Sequence, residues 1–302
     1  RGQMETAVNI LFSGFSMGAI YALVALGFVL IFKSTGILNF AQGELCMVGA
    51  YICYYFATEL EVPYLLALAS AIVLGCVMGA LIDLLIFRKL VGEPVHATIL
   101  VTVGLASILV SLTGLIWGHD THSIKSPFIG KTVTINGMIF SQALLATIGV
   151  SIVLFFLFIV FFKRSLLGIA LMGTAEDSDT AGLMGINVKK MRMLAWILGA
   201  FVASVAGIFL AEQSFVHTGM SHIGIKAMSA AILGGMQSIS GVVVCGILVG
   251  LIESLAATFL TDLALGNFHF GDTKDVTAFV IMILVLMIRP HGIFGTKEVE
   301  RV

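Results

Sequence analysis

Charge is what this sequence has least of. Only 11% of its 302 residues are Asp, Glu, Lys or Arg, 59% are hydrophobic, and mean hydropathy is +1.10. A water-soluble domain of this length cannot cover so much apolar surface with so few charges, which excludes the soluble classes. The net charge of −1 offers no basic face for nucleic acid. Cysteine excludes as much as it suggests: Cys46, Cys53, Cys76 and Cys245 lie in apolar runs with no CxxC pair, as small buried hydrophobes do. No basic segment with a cleavage site precedes the first apolar run, which therefore reads as a retained helix. There is no GxxxxGK[ST] phosphate loop, so a nucleotide that drives this chain must bind another subunit. The apolar stretches also lack paired aspartates or a Ser–His couple, which argues against an intramembrane enzyme.

Continuous apolar sequence is what remains. Runs at 7–32, 37–57, 64–87, 95–118, 141–162, 193–211, 240–261 and 276–289 are each about long enough to cross a hydrocarbon core of ~30 Å. They do not alternate, so a β-barrel is excluded. The pattern predicts an all-α, polytopic transmembrane bundle in one domain over 1–302. Eleven of the sixteen basic residues fall on one side of it: Lys33, Arg88, Lys89, Lys163, Arg164, Lys189, Lys190, Arg192, Arg289, Lys297 and Arg301. The other side carries Glu59, Glu61, Asp120, Asp262 and Asp272, with Arg1, Lys125, Lys131 and Lys274. The positive-inside rule then places the N-terminus outside and the C-terminus in the cytoplasm. That orientation needs an odd number of crossings. The ninth is assigned to SHIGIKAMSAAILGGMQSIS (221–240), a Gly- and Ser-rich stretch with Lys226 that suits an interrupted helix shielded by protein. The architecture read from sequence is thus eight long helices plus one interrupted crossing.

Polar groups in the apolar runs are few enough to weigh singly. GILNFAQGELCMVGAY (36–51) holds Asn39, Gln42 and Glu44 within six residues. A carboxylate in the membrane costs about 2.5–3.5 kcal/mol, so Glu44 should face protein or water. Two readings stand: the three residues line a translocation pathway, or they pin the start of a broken helix. Glu253, deep in its run, is the second pathway candidate, against a helix–helix hydrogen bond to Ser or Thr. Asp83 is read as an interfacial pair with Arg88 and Lys89, and Lys226 as snorkelling towards water, against an approach to a substrate carboxylate or an acidic helix. HDTHS (119–123) has a loose metal-like spacing but no further ligand nearby, and its loop could instead meet a partner outside the membrane. GILNFAQGELCMVGAY and GIKAMSAAILGGMQSISG occupy comparable places in the two halves, a weak echo that points to a pseudo-repeat with a central pathway.

KRSLLGIALMGTAEDSDTAGLMGINVKKMR (163–192) is the longest cytoplasmic segment. Thr174 and Asp177 form a Thr-x-x-acid pattern suited to a helix start, with Asp177 and Asp179 favoured by the helix dipole. Ala181 and Met184 are spaced to share a face, and Gly185 to end the helix. A short amphipathic helix between basic clusters is expected, either a solvated connector or an element that docks into a partner's groove.

These segments resemble the permease subunits of bacterial branched-chain amino acid ABC importers, in the branch that includes urea and amide importers. GAIYALVALGFVLIFKSTGILNFAQGELCMVGAY (18–51) is similar to the family's opening signature, and RSLLGIALMGTAEDSDTAGLMGINVKK (164–190) to its coupling loop. AAILGGMQSISGVVVCGILVGLIES (230–254) and IRPHGIFG (288–295) resemble its closing motifs, apart from SISG where the family often has Ser-Ile-Pro-Gly. The resemblance implies a bacterial inner-membrane subunit without cofactor of its own. It would work with a homologous second permease, two cytosolic ATPase subunits holding ATP and Mg, and a periplasmic solute-binding protein that does most of the substrate selection. It makes Ala175, Glu176, Asp177, Ala181, Gly182 and Gly185 the candidates for ATPase contact. The cargo would be a branched-chain or other hydrophobic amino acid, with urea, a short amide or an aromatic carboxylate as alternatives. An ion-coupled secondary transporter using Glu44 and Glu253 is the competing class.

Overall fold

The computed structural model describes residues 2–90, 92–135, 138–261, 264–265, 268–269, 274–289 and 291–295. Arg1, Asp262, Asp272, Lys297 and Arg301 of the charge pattern, and Pro290 of IRPHGIFG, lie outside the described residues. The all-α polytopic bundle is found. Its helices are α1 (Gly2–Thr35), α2 (Gln42–Tyr54), α3 (Tyr64–Leu85), α4 (Val95–Trp117), α5 (Gln142–Arg164), α6 (Leu166–Glu176), α7 (Ser178–Leu183), α8 (Val188–Gln213), α9 (Ile223–Gly234), α10 (Ile239–Thr261) and α11 (Lys274–Ile288). Six of them, α1, α3, α4, α5, α8 and α10, are long and apolar enough to cross a membrane. The run at 37–57 is instead a loop followed by the 13-residue α2, which continues into a π-helical turn at Tyr55–Glu59. The run at 276–289 is the 15-residue α11. The stretch at 221–240 is interrupted as expected: a 3₁₀ turn at Thr218–His222, the 12-residue α9, and a break before α10. A hairpin in the loop after α4, Thr132–Ile135 paired antiparallel with Met138–Ser141, gave no clear sequence signal.

Without a hydrophobic force between helices in lipid, close packing must hold them together, and small residues let backbones approach. The pair α1–α10 uses Gly14 against Ser254, Gly18 against Gly250, and Ala22 against Gly246. A Cβ at Gly246 would lie 2.6 Å from Ala22 Cα, and one at Gly18 would lie 2.7 Å from Ile247 Cα. The pair α3–α8 repeats this arrangement, with Gly79 against Ala200 and Gly75 against Ser204. The correspondence extends by the same spacing to the helix ends. Ser254 Oγ donates to Ile10 O at 2.9 Å, and in the other half Arg192 Nε donates to Asp83 Oδ1 at 3.0 Å. The two short helices meet between these pairs, where a Cβ on Gly43 of α2 would come within 2.9 Å of Gly224 Cα in α9, and one on Gly224 within 2.8 Å of Gly43 Cα. Each glycine is the second residue of its helix. The expected pseudo-repeat therefore has a concrete form: α1, α2 and α3 match α8, α9 and α10, with Gly43 and Gly224 at the pseudo-two-fold.

The core surrounds α1 and α8, whose most apolar windows are 83% and 72% buried, against 22% for α4 and α5, which leaves the latter two helices for lipid or partner contact. Asp83 corrects the sequence reading. It pairs with Arg192 rather than with Arg88 or Lys89, and both partners are largely buried. The distance in sequence between Asp83 and α8 hid this pair. Replacing Gly250 by Leu forces its side chain into the α1 backbone at Gly18. We expect a loss of at least ~1–3 kcal/mol, read as a lower melting temperature in detergent. Gly149→Ala, where a Cβ meets nothing within 4 Å, should melt like the parent.

Candidate functional site

The polar residues of 36–51 sit where the chain turns from α1 into α2. Asn39 Oδ1 accepts from Ala41 N at 3.1 Å, and Asn39 Nδ2 donates to Gln42 Oε1 at 3.2 Å. Gln42 Nε2 donates to Gly199 O of α8 at 3.0 Å. Phe40 N donates to Thr102 Oγ1 of α4 at 3.2 Å, which satisfies a further group of the irregular backbone. Asn39 and Gln42 are fully buried. These bonds tie the loop to itself or to a neighbouring helix, so the geometry favours the pinning reading for these two. Glu44 differs. It is half-buried in the first turn of α2, where the helix dipole favours an anion, and its carboxylate makes no hydrogen bond to another described residue.

Glu253 is the second centre. Both of its oxygens are engaged: Tyr21 Oη donates to Oε2 at 2.5 Å, and Lys226 Nζ donates to Oε1 at 2.7 Å. Lys226 thus meets an acidic helix instead of reaching for water, and the partners of Glu253 are a phenol and an ammonium instead of Ser or Thr. The group joins α1, α9 and α10. Tyr21 stands halfway along the apolar span Ala7–Thr35, which sets the group at membrane depth. Lys226 is in the first turn of α9, two residues beyond the crossing glycine Gly224. Glu44 and Lys226 accordingly sit in the first turns of the two short helices that meet at the centre, while Glu253 reaches the same region from α10.

A third polar cluster, at the opposite end of α8 from Arg192, was missed. Tyr64 Oη and Ser126 Oγ both donate to Glu212 Oε1, the latter at 2.7 Å. Glu212 is the one acid in the apolar length of α8, and that was the available signal. Here it anchors the loop after α4. The same loop is held by backbone bonds between His122 and Val216 and by the His122 ring stacked on Tyr54 at 4.5 Å. His122 therefore has a packing role, and among the described residues no group of three His, Cys, Asp or Glu could hold a metal. Lys125 pairs with Glu61 at 2.8 Å on the exposed rim, and holds that carboxyl below its usual range.

The loop between α5 and α8 forms two helices, not one. Thr174 lies inside α6 and donates to Leu171 O, so it does not start a helix. Asp177 is the cap of α7: its Oδ1 accepts from Asp179 N at 2.9 Å and Thr180 N at 3.0 Å. The Thr180 hydroxyl and these N–H groups hold the Asp177 carboxyl below its ordinary value. Gly185, at φ +86°, ends α7 as expected, and Ile186 N closes the turn on Ala181 O at 3.0 Å. Ala181 and Met184 do not share a face. Ala181 is buried, whereas Met184 follows the last helical residue and is 81% exposed, beside Leu183 at 89%. Of the contact candidates, Glu176, Asp177, Gly182 and Gly185 are exposed, Ala175 is half-buried and Ala181 faces inward. The exposed apolar surface here is the pair Leu183–Met184, of which periodicity placed Met184 on the face of Ala181.

The fold and its sites define a multi-pass helical membrane protein with a repeated three-helix unit, α1–α3 and α8–α10, and with polar groups buried where the short helices of the two units meet, as in solute carriers built from repeats. The chain belongs to the family described as branched-chain amino acid transport system / permease component, whose sequence profile matches residues 10–286. It is 33% identical to the high-affinity branched-chain amino acid transport system permease protein BraD of Pseudomonas aeruginosa, over 97% of each chain. It is 30% identical to the corresponding LivH protein of Escherichia coli K12, over 97% of this chain and 96% of that one. The solved structure of PsaBC from Streptococcus pneumoniae in complex with Fab has the same fold at TM-score 0.51 and 16% identity, over 94% of this chain and 91% of that one.

The geometry separates two variants of the 36–51 segment. Gln42→Ala takes the acceptor from the buried Asn39 Nδ2 and the side-chain tie from Gly199 O, and should cost about 1–3 kcal/mol in thermal unfolding. Glu44→Gln removes a charge that binds no other described side chain and should unfold within about 0.5 kcal/mol of the parent.

Proposed function

We propose that this chain is one permease subunit of an ATP-driven importer and carries branched-chain or other hydrophobic amino acids handed over by a periplasmic binding protein. The observation that carries the proposal is the near-complete alignment with BraD, a permease named for that transport. The chain works beside a homologous second permease and two cytosolic ATPase subunits, which bind and hydrolyse ATP. Its N-terminus lies outside and its C-terminus in the cytoplasm, in keeping with the basic residues at 163–164 and 189–192 flanking α6 and α7. In that orientation α7 faces the ATPase. Its exposed end, Leu183 and Met184 with Gly182 and Gly185, fits a cleft of that subunit, while Glu176 and Asp177 present charge at its start. Buried Ala181 fixes α7 to the permease, so movement of the ATPase passes to the helices as a rigid-body shift. Glu44 and Glu253 are the pathway candidates, and Asn39 and Gln42 hold the broken helix beside them.

Reconstitution of the complete complex in proteoliposomes tests this. Uptake of L-leucine from the loaded binding protein should require ATP on the ATPase side, and a sodium or proton gradient without the ATPase should drive none. Gradient-driven uptake by the permease alone would overturn the proposal. Leu183→Asp with Met184→Asp should leave the permease inserted but lower ATP-driven uptake by at least tenfold. Glu44→Gln should also lower uptake, against its near-neutral effect on unfolding.

A further inference from the structure

The pseudo-two-fold allows a comparison that neither half permits alone. Tyr21 precedes Ala22 in α1, and its counterpart in α8 is Ala203, which precedes Ser204. Glu253 precedes Ser254 in α10, and its counterpart in α3 is Ile82, which precedes Asp83. Lys226 follows Gly224 by two residues in α9, and its counterpart in α2 is Leu45, two residues after Gly43. Ala203, Ile82 and Leu45 are all buried in the core. One helix crossing is thus built with apolar side chains and its equivalent with a carboxylate, an ammonium and a phenol. The apolar version shows that the packing does not require the charges. Replacing a buried ion pair by well-packed apolar residues is commonly neutral or stabilising, so stability does not explain the charges either. Ionisable groups at membrane depth mark solute or ion routes.

We infer that Lys226 and Glu253 read the charged end of a zwitterionic solute, a proposal that rests on the amino-acid transport reading above. An amino acid carries a carboxylate and an ammonium on one carbon, the same two charges that Glu253 and Lys226 bring together at 2.7 Å. When the route opens, the solute carboxylate takes the place of Glu253 on Lys226, and the solute ammonium takes the place of Lys226 on Glu253. Each ion exchanges one charged partner for another, so neither is left unpaired at low dielectric. Tyr21 holds the second Glu253 oxygen throughout and keeps the carboxylate aimed at α9. The two charges are not sealed off: the Lys226 side chain is 19% exposed and that of Glu253 10%. Ile225, beside Lys226, is 49% exposed, so this turn of α9 lies at an open edge of the subunit. The specificity given is for a class: a solute with only one of the two charges separates Lys226 from Glu253 but replaces only one of the two contacts this breaks, whereas the apolar side chain is read elsewhere.

The test uses the complete complex with its binding protein in proteoliposomes and L-leucine as the probe. Lys226→Leu with Glu253→Ile copies Leu45 and Ile82 of the apolar half and should melt no lower than the parent while taking up L-leucine at least tenfold more slowly. Lys226→Glu with Glu253→Lys keeps an ion pair but reverses it beneath Tyr21, and uptake should stay at least tenfold down. Wild-type uptake by the apolar double variant would overturn the inference, and so would full rescue by the reversed pair, which would make the pair a structural latch. In nanodiscs, the wild-type complex should retain L-leucine at least tenfold better than 3-methylbutylamine or 4-methylpentanoate, which each carry one charge; equal retention would overturn the inference too. Failure of the transport reading shows differently, as wild-type complex that takes up no L-leucine with ATP.

Discussion

Two helices that cannot cross the membrane by themselves meet backbone to backbone at Gly43 and Gly224, and most of the architecture follows from that contact. Neither residue has a Cβ, so the second residue of α2 can lie against the second residue of α9. The helix starts this brings together each present unpaired N–H groups and partial positive charge. Such ends are tolerable in the protein interior only when the surrounding groups satisfy them. Asn39 and Gln42 tie down the loop before α2, Thr102 accepts from Phe40 N, and Glu44 supplies negative charge in the first turn. The longer helices then pack around the contact in matching pairs, α1 on α10 and α3 on α8, through rows of small residues.

Symmetry of the apolar frame makes the asymmetry of its charges informative. At the helix ends a hydroxyl bonded to the Ile10 carbonyl in one half becomes the Asp83–Arg192 ion pair in the other, beside the basic loop. Nearer the centre the difference runs the other way, and the charged pair Lys226–Glu253 belongs to α9 and α10 alone. A sequence that repeats its helix packing but not its charges has placed those charges for something other than packing. The Glu212 cluster serves a further end, fastening the loop after α4 to the end of α8 opposite Arg192.

Much of this was legible from local pattern. Apolar run length found six of the eight long helices it assigned, the Gly- and Ser-rich stretch at 221–240 marked an interrupted helix, and Gly185 marked the end of α7. The weak echo between 36–51 and 224–241 turned out to hold the two glycines of the central contact. What local pattern could not give was partners. Asp83 has two basic neighbours in sequence, but its side chain points across to α8 and meets Arg192. Lys226 and Glu253 each stood out as isolated charges, and only the packing of α9 on α10 makes them a pair. Spacing placed Ala181 and Met184 on one face because it assumed a helix through both, whereas α7 ends at Leu183 and turns Met184 outward. Thr174 and Asp177 fit a capping pattern, yet the break between α6 and α7 falls at Asp177, and the acid does the capping.

The central claim is that the Gly43–Gly224 contact holds the two halves together. The most direct measurement is thermal unfolding of Gly43→Val in detergent, followed by monodispersity on size exclusion and compared with Gly104→Val, where a Cβ meets nothing within 4 Å. The account predicts that Gly43→Val loses the monodisperse species or melts far below the parent, while Gly104→Val stays close to it. A Gly43→Val protein that melts with the parent would contradict it.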